Sequence, residues 1–222
     1  MHQPNTPAAK RRPYAPRLPA PERREQLLEA ALRVLDETGY AGLTMEAVAR
    51  RAGVTKPVVY DAFANRDEVM RTLLAREEQR AVAELLEAIG APPRGDDAPD
   101  GPLDLAEALV QAVRRALGVI AARPQAYRLM LLQVEGTPAV VRERVDAGRA
   151  RVVARVQEII TWAVAAFGDG VSVDAELLAA GLVGMGEHAA GLMLSDPDGF
   201  PPERFDATLR QLLRALLPTR PV

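Results

Sequence analysis

Cysteine is absent from the 222-residue sequence, and histidine occurs only as His2 and His188. Without cysteine the chain has no disulfide framework, no thiolate nucleophile and no thiolate-ligated metal. It also lacks a Glu-x-x-His pair, a Walker A loop, a GxSxG elbow and an HExxH pair. The glycines of "GLVGMGEHAAG" fall inside a helical pattern, so they do not predict a dinucleotide site. These absences argue against an enzyme and predict no catalytic residue, no metal site and no cofactor.

Long apolar runs and β-type alternation are also scarce. No apolar run reaches the roughly 20 residues of a membrane span. The first 21 residues include basic side chains but no apolar core, unlike a secretory signal. We therefore expect a cytoplasmic protein without a membrane partner. No stretch alternates apolar and polar residues over a useful length, so strands are not predicted.

Lysine is scarce too, since Lys10 and Lys56 stand against 26 arginines. Residues 1–66 contain 11 basic and 7 acidic residues, whereas the remainder contains 17 and 23. A basic head on an acidic body suggests an anionic partner for the head, with chance and a solvated tail as the alternative. Residues 1–21 are rich in proline, lack periodicity and are predicted to be a disordered basic arm. Its basic residues could reach a minor groove or simply be solvated; they are Lys10, Arg11, Arg12 and Arg17.

Helical periodicity runs from residue 22 to 217 and predicts an all-α fold of about nine helices. Gly39 ends the first helix, Thr44 caps the second with Glu46 in its first turn, and Thr55 caps the third. The fourth runs from about 67 to 89, and residues 90–102 are a linker by composition. The fifth helix is predicted around 106–120, and the sixth begins at Pro124. The seventh runs from Thr137 and Pro138 to Phe167, the eighth over about 173–194 and the ninth over about 202–217.

Residues 45–63 have helix-turn-helix spacing, with a tight turn at Gly53, which can adopt positive φ. An apolar seam is predicted between two sets of residues, Val48, Val54, Val59 and Phe63 on one side and Leu32, Leu35 and Leu43 on the other. The residues left facing outward on the third helix are Thr55, Lys56, Pro57, Val58, Tyr60 and Asp61.

This outward face suits a major groove, which accepts the N-terminal part of an α-helix. Lys56 could donate to guanine, Pro57 and Val58 could contact a thymine methyl, and the Tyr60 hydroxyl could donate to a phosphate. Arg66, at the start of the next helix, could bind the phosphate backbone together with the helix N–H groups. An ordinary helical hairpin with a solvated face is the alternative.

The stretch "TMEAVARRAGVTKPVVYDAFANRDEV" resembles the signature of the TetR family of bacterial one-component regulators. The residues that carry the resemblance are Thr44, Ala52, Gly53, Thr55, Tyr60, Phe63, Asn65, Arg66 and Asp67. It covers about residues 22–75. Two departures blur the operator sequence: Arg66 stands where lysine is commoner, and Ala62 is small where many members have a ring.

The resemblance implies a helix-turn-helix DNA-binding domain over residues 22–68 and a helical regulatory and dimerisation domain over residues 69–217. The predicted DNA-binding residues are Thr44, Thr55, Lys56, Pro57, Val58, Tyr60 and Arg66. The implied partners are double-stranded operator DNA, a small-molecule effector and a second copy of the chain. The high content of methionine and alanine suggests that the effector is apolar.

The body offers hints of its own. The eighth helix has a bulky stripe beside a stripe of glycines at 181, 184 and 191, and the ninth has an apolar face of Phe205, Leu209, Leu212, Leu213 and Leu216. These two helices are predicted to form the homodimer interface. The predicted ligand-binding residues are Tyr127, Met130, Trp162, Met185 and His188, with plain core packing as the alternative for each.

We therefore expect a ligand-responsive transcriptional regulator, a repressor, that binds a pseudo-palindromic operator as a dimer. The competing hypothesis is a helical interaction protein whose small N-terminal domain contacts protein rather than DNA. Salt dependence separates them, because only phosphate neutralisation predicts a steep salt slope.

Overall fold

The computed structural model of the chain describes residues 18–95, 98, 101–131, 139–167 and 172–216. These residues form helices and connecting turns with no strand, which confirms the all-α prediction. The helices are α1 Ala20–Gly42, α2 Met45–Ala52, α3 Lys56–Ala62, α4 Arg66–Ile89, α5 Pro102–Ala122, α6 Pro124–Leu131, α7 Ala139–Phe167, α8 Ala175–Ser195 and α9 Pro202–Leu216. Most of the predicted arm, residues 1–17, lies outside the described residues, as do Thr137 and Pro138.

Local signals set most of the helix ends. Gly39 has φ 67° and interrupts the regular geometry of α1, although helical hydrogen bonding resumes up to Gly42. The Thr44 hydroxyl caps α2 by accepting from the Ala47 N–H at 3.0 Å, as predicted. The Asn65 amide oxygen caps α4 by accepting from the Glu68 N–H at 2.9 Å.

The prediction that Thr55 caps α3 is right in position but wrong in the hydrogen bond. Thr55 occupies the N-cap position of α3, but its side chain makes no capping hydrogen bond. A capping side chain accepts from the second or third N–H of a helix. Here the second residue is Pro57, which has no N–H, and the Val58 N–H donates to the Thr55 carbonyl at 3.0 Å instead.

Two apolar clusters organise the chain. The first joins α1, α2, α3 and the beginning of α4, and also includes Ala126 of α6. The predicted seam lies within it, except that Val54 is only partly buried. The second joins Ala81 of α4 to residues of α5, α6 and the end of α8. Helix α7 packs on α4 and α8, and α9 packs on α5.

Helix α7 approaches α4 closely at Gly148. A Cβ placed there would lie 3.0 Å from both Glu78 Oε1 and Val82 Cγ2. Glycine at this position therefore lets the two helix backbones come together. Glu78 is itself buried and pairs with Arg144 and Arg151 of α7, at 3.3 and 3.4 Å.

A second buried carboxylate connects α1, α4 and the end of α5 through ion pairs. Glu77 of α4 is fully buried, and its Oε1 accepts from Arg76 Nε at 2.8 Å. Its Oε2 accepts from Arg123, at the end of α5. Arg76 also pairs with Glu25 and Glu29 of α1, at 2.9 and 3.0 Å. We call this set the junction cluster, because it ties α1, α4 and the end of α5 together.

Helix α8 has an apolar surface that no other described part of the chain covers. Among the described residues it is the one helix whose length and composition would allow it to cross a membrane, and only 22% of that segment is buried. Its large exposed side chains are Leu177, Leu178, Leu182 and Met185. Length and apolarity alone are weak evidence for a membrane span. The same helix also contains a charged residue, Glu187, which pairs with Arg149 of α7 at 2.9 Å.

Candidate nucleic-acid interface

Helix α3 packs through one apolar face, and its opposite face is exposed to solvent. Val59 is fully buried, and Phe63, which follows the helix, is nearly so; these two residues anchor α3 to the first cluster. Tyr60 is 49% exposed. The outward residues Thr55, Lys56, Pro57 and Asp61 are exposed as predicted, whereas Val58 is half-buried.

The turn between α2 and α3 fixes the angle at which α3 is presented. Gly53 adopts the left-handed conformation, φ 69° and ψ 31°, as its predicted role requires. Its N–H donates to the carbonyls of Ala49 and Arg50, and the Val54 N–H donates to Ala49 at 3.0 Å. Gln26 of α1 holds the end of α2 by donating to the Ala52 carbonyl at 3.2 Å.

Arg24 of α1 holds the other end of α3. Its guanidinium donates to the Ala62 carbonyl, lies 4.2 Å from the centre of the Phe63 ring and pairs with Glu68 at 3.4 Å. Glu68 also accepts from the Ala64 N–H at 2.7 Å, and this hydrogen bond is the largest cause of the lowered pKa of Glu68. Arg24 was not predicted from sequence, because its partners lie 38 to 44 residues away and no local spacing reveals them.

Arg66 is occupied within the head. It donates to the Tyr40 carbonyl at 2.6 Å, and its guanidinium lies 4.0 Å from the centre of the Tyr40 ring. Its Nε is buried without a hydrogen-bond partner in the described part of the chain. Arg66 therefore joins the start of α4 to the end of α1, and its contact with phosphate stays a prediction.

The exposed face of α3 keeps its polar groups available. The side chains of Lys56, Tyr60 and Asp61 make no hydrogen bond or ion pair with another described residue. Thr44 lies exposed at the beginning of α2, the helix that precedes the turn. A lysine, a tyrosine and small apolar groups thus face solvent on a rigidly held helix, which is the arrangement that major-groove reading requires.

Comparison with known proteins agrees with this geometry. Residues 27–73 match the family model of bacterial regulatory proteins of the tetR family. Over these residues the chain is similar to the TetR family. The resemblance predicted from residues 22–75 is thereby confirmed.

Relatives with the same TetR-family head are named as regulators. The HTH-type transcriptional activator FasR of Mycolicibacterium smegmatis is 41% identical over 73 residues, which are 33% of this chain and 33% of FasR. The HTH-type transcriptional regulator BetI of Burkholderia ambifaria is 39% identical over 69 residues, 28% of this chain and 36% of BetI. The chain thus spans only about a third of the length of these curated relatives.

Solved TetR-like structures extend the similarity of fold to the body. A TetR-like regulator from Rhodococcus sp. RHA1 superposes with a TM-score of 0.66 at 24% identity, covering 89% of this chain and 97% of that one. SmeT, described as the repressor of a multidrug efflux pump of Stenotrophomonas maltophilia, superposes in its complex with triclosan with a TM-score of 0.63 at 20% identity. That match covers 87% of this chain and 90% of SmeT.

The body places the five predicted ligand-binding residues in different surroundings. Tyr127 is buried in the second cluster, where burial raises its pKa, and Met130 packs partly against that cluster. Trp162 of α7 packs edge-on against Phe167, with ring centres 5.9 Å apart. Met185 is 63% exposed, and His188 is exposed on the same helix.

The physical reason is the direction in which α8 faces. Its buried residues are Ala179, Ala190, Met193 and Leu194. The side that carries Leu178, Leu182 and Met185 therefore faces away from the other described helices. At the predicted glycine stripe, no other described helix of the same chain packs closely against α8. A Cβ at Gly181 or Gly191 would meet no atom within 4 Å, and one at Gly184 would meet only Arg149, at 3.8 Å.

Proposed function

We propose that this protein is a transcriptional regulator that binds double-stranded operator DNA through α3. The observation that carries the proposal is the exposed face of α3, which begins at Lys56. The buried Val59 anchors the opposite face of the helix to the first cluster. Similarity to FasR and BetI supports it, since both are named as transcriptional regulators. FasR is named as an activator and SmeT as a repressor, so relatives of this fold include both kinds of regulator. We propose that this chain acts as a repressor. We also propose that it is located in the cytoplasm, where it can bind chromosomal DNA.

A salt titration on DNA tests this proposal. We expect the chain to shift a labelled fragment from the DNA flanking its gene, with an affinity that falls steeply as salt rises. Lys56→Ala should cost about 1–3 kcal/mol and relax the preference at one operator position. Arg114→Ala removes an equal charge from the exposed surface of α5 and should leave the affinity unchanged. Binding without salt dependence would favour a protein partner instead.

We propose a homodimer formed through α8 and α9. The apolar face of α8 and the exposed Leu212 of α9 support it, because monomeric proteins seldom expose contiguous apolar surface of this kind. Leu212→Asp should give monomers in sedimentation, whereas Leu18→Asp, at a similarly exposed leucine of the head, should not. The operator should then be a pseudo-palindrome with half-sites about 34–36 Å apart or a multiple of that. A wild type that is monomeric at micromolar concentration would contradict the dimer.

We further propose that an apolar effector binds the body and lowers the affinity for DNA. The complex of SmeT with triclosan supports such a ligand for a chain of this fold. Met185 and His188 would line an enclosed site only after a second chain covers α8. Trp162→Ala and His188→Ala should change the response to an effector, whose coupling to DNA binding is typically about 1–3 kcal/mol, and should leave ligand-free DNA binding within about threefold. Unchanged responses in both variants would place the effector elsewhere.

A further inference from the structure

Asp61 lies at the centre of the exposed face of α3. Val59 is fully buried, and residues two positions apart on an α-helix point about 200° away from each other. Asp61 and Pro57, each two positions from Val59, therefore point almost directly away from the packed side, and both are exposed. Lys56 and Tyr60 lie beside them on the same face. A surface that docks against this face of α3 must meet the Asp61 carboxylate.

The fold does not use this carboxylate. Asp61 makes no hydrogen bond or ion pair with another described residue. Arg24, which holds the end of α3, is paired with Glu68 at 3.4 Å instead. Asp61 is also the residue before the last of α3, where the negative end of the helix dipole disfavours a carboxylate. The charge of Asp61 is therefore not needed to hold α3 in place.

A carboxylate has few favourable partners on double-stranded DNA. It has no proton to donate, so it repels phosphates rather than binding them. In the major groove the donors are the N4 amino group of cytosine and the N6 amino group of adenine. Adenine places its N7 acceptor beside that donor, whereas guanine and thymine present acceptors only. Cytosine is therefore the base whose edge suits a carboxylate best.

We propose that Asp61 is a specificity-determining residue that accepts a hydrogen bond from the N4 amino group of one cytosine in the operator. Guanine or thymine at that position is disfavoured, because its acceptor would face the carboxylate without a donor between them. Repulsion between Asp61 and the phosphates also weakens binding to DNA that lacks this cytosine. The inference rests on the proposed function, since it requires α3 to enter the major groove.

Selection of bound duplexes from a random DNA pool, with the full-length protein, measures the base preference at every operator position. We expect the wild type to prefer cytosine at one position by about tenfold or more over guanine and thymine. Asp61→Asn should transfer that preference to adenine, because an amide can accept from N6 and donate to N7 of adenine. Asp61→Ala should abolish it, and both variants should keep the preferences at the other positions. Glu22→Gln removes an equal charge from an exposed position of α1 and should change no preference.

The affinity for a duplex without the operator is a second measurement. Both Asp61 variants should bind that duplex more tightly than the wild type does, since one repulsive charge is gone. Thermal melts should match the wild type, because the side chain has no partner in the described part of the chain.

Three results would overturn the inference: an operator without a preferred cytosine, a cytosine preference that survives in Asp61→Ala, or preferences that weaken equally at every position. A wild type that selects no DNA would refute the proposed function and this inference together. A wild type that selects an operator whose preferences do not respond to the Asp61 variants would refute this inference alone.

Discussion

Replacing Glu77 by glutamine removes the central charge of the junction cluster without changing its volume. The fully buried carboxylate bridges Arg76, whose side chain is 9% exposed, and Arg123, which is 28% exposed. Breaking a buried ion pair by removing one partner costs about 3–5 kcal/mol. Arg76 keeps Glu25 and Glu29, and Arg123 keeps Glu84, so we expect a loss of about 2–3 kcal/mol in the free energy of unfolding.

Urea unfolding followed by circular dichroism, at one fixed protein concentration, measures this loss. In a chain of this length it corresponds to a fall of about 5–10 °C in melting temperature. Glu87→Gln, on the exposed side of the same helix, is the control and should stay within about 0.5 kcal/mol of the wild type. Combining Glu77→Gln with Arg123→Gln should reveal a coupling of about 1 kcal/mol or more. If Glu77→Gln behaves like the control, the cluster does not stabilise the junction.

Four further substitutions test the head. Thr44→Ala should cost about 1 kcal/mol of stability, whereas Thr55→Ala should cost much less because its side chain caps nothing; equal losses in denaturant titrations would refute this. Val59→Ala should cost about 2–3 kcal/mol and weaken DNA binding with it, and a stable variant would mean that α3 is anchored elsewhere. Because folding lowers the pKa of Glu68, this carboxylate contributes to folding stability above its ordinary pKa of 4.5. That contribution is lost as the pH falls through the lower pKa of the folded state. Carbon NMR titration should show that pKa rising in Arg24→Gln.

The head was predictable from sequence because its determinants are local. Thr44 bonds to a residue three positions away, and Gly53 bonds to residues three and four positions back. Capping and turn chemistry therefore indicated both helices and the side of α3 that is buried. The exception was Thr55, whose cap failed because of Pro57, two residues further along.

The sequence of α4 contains a signal of the buried ion pairs, although Glu77 and Glu78 were not among the predicted residues. Apolar residues of α4 are buried at 69, 70, 73, 74, 81 and 82, and the missing step of that period is occupied by Glu77 and Glu78. Charged residues at positions where helical spacing expects apolar ones predict buried ion pairs. Their partners could not be named, because Arg123 lies 46 residues from Glu77 and only the packed fold brings them together.

The body was harder for a related reason. Periodicity shows which residues of α8 share a stripe, but both stripes of this helix are apolar, so hydrophobicity does not choose which one packs inward. The structure turns Ala190 and Met193 inward and leaves Met185 in solvent. The two α8 members of the predicted ligand set, Met185 and His188, are both exposed, whereas Tyr127 of α6 is buried, and so the set did not converge.

Helix α3 separates the residues that hold the fold from those that face outward, and this division bears on how such a regulator can be retargeted. Thr55, Lys56 and Tyr60 make no side-chain hydrogen bond or ion pair with other described residues, so replacing them should change stability by no more than about 0.5 kcal/mol. A library randomised at these positions should therefore remain largely folded, and new operator preferences can be selected without compensating mutations. The same library built on Val59 and Phe63 would lose most of its members to unfolding before any of them met DNA.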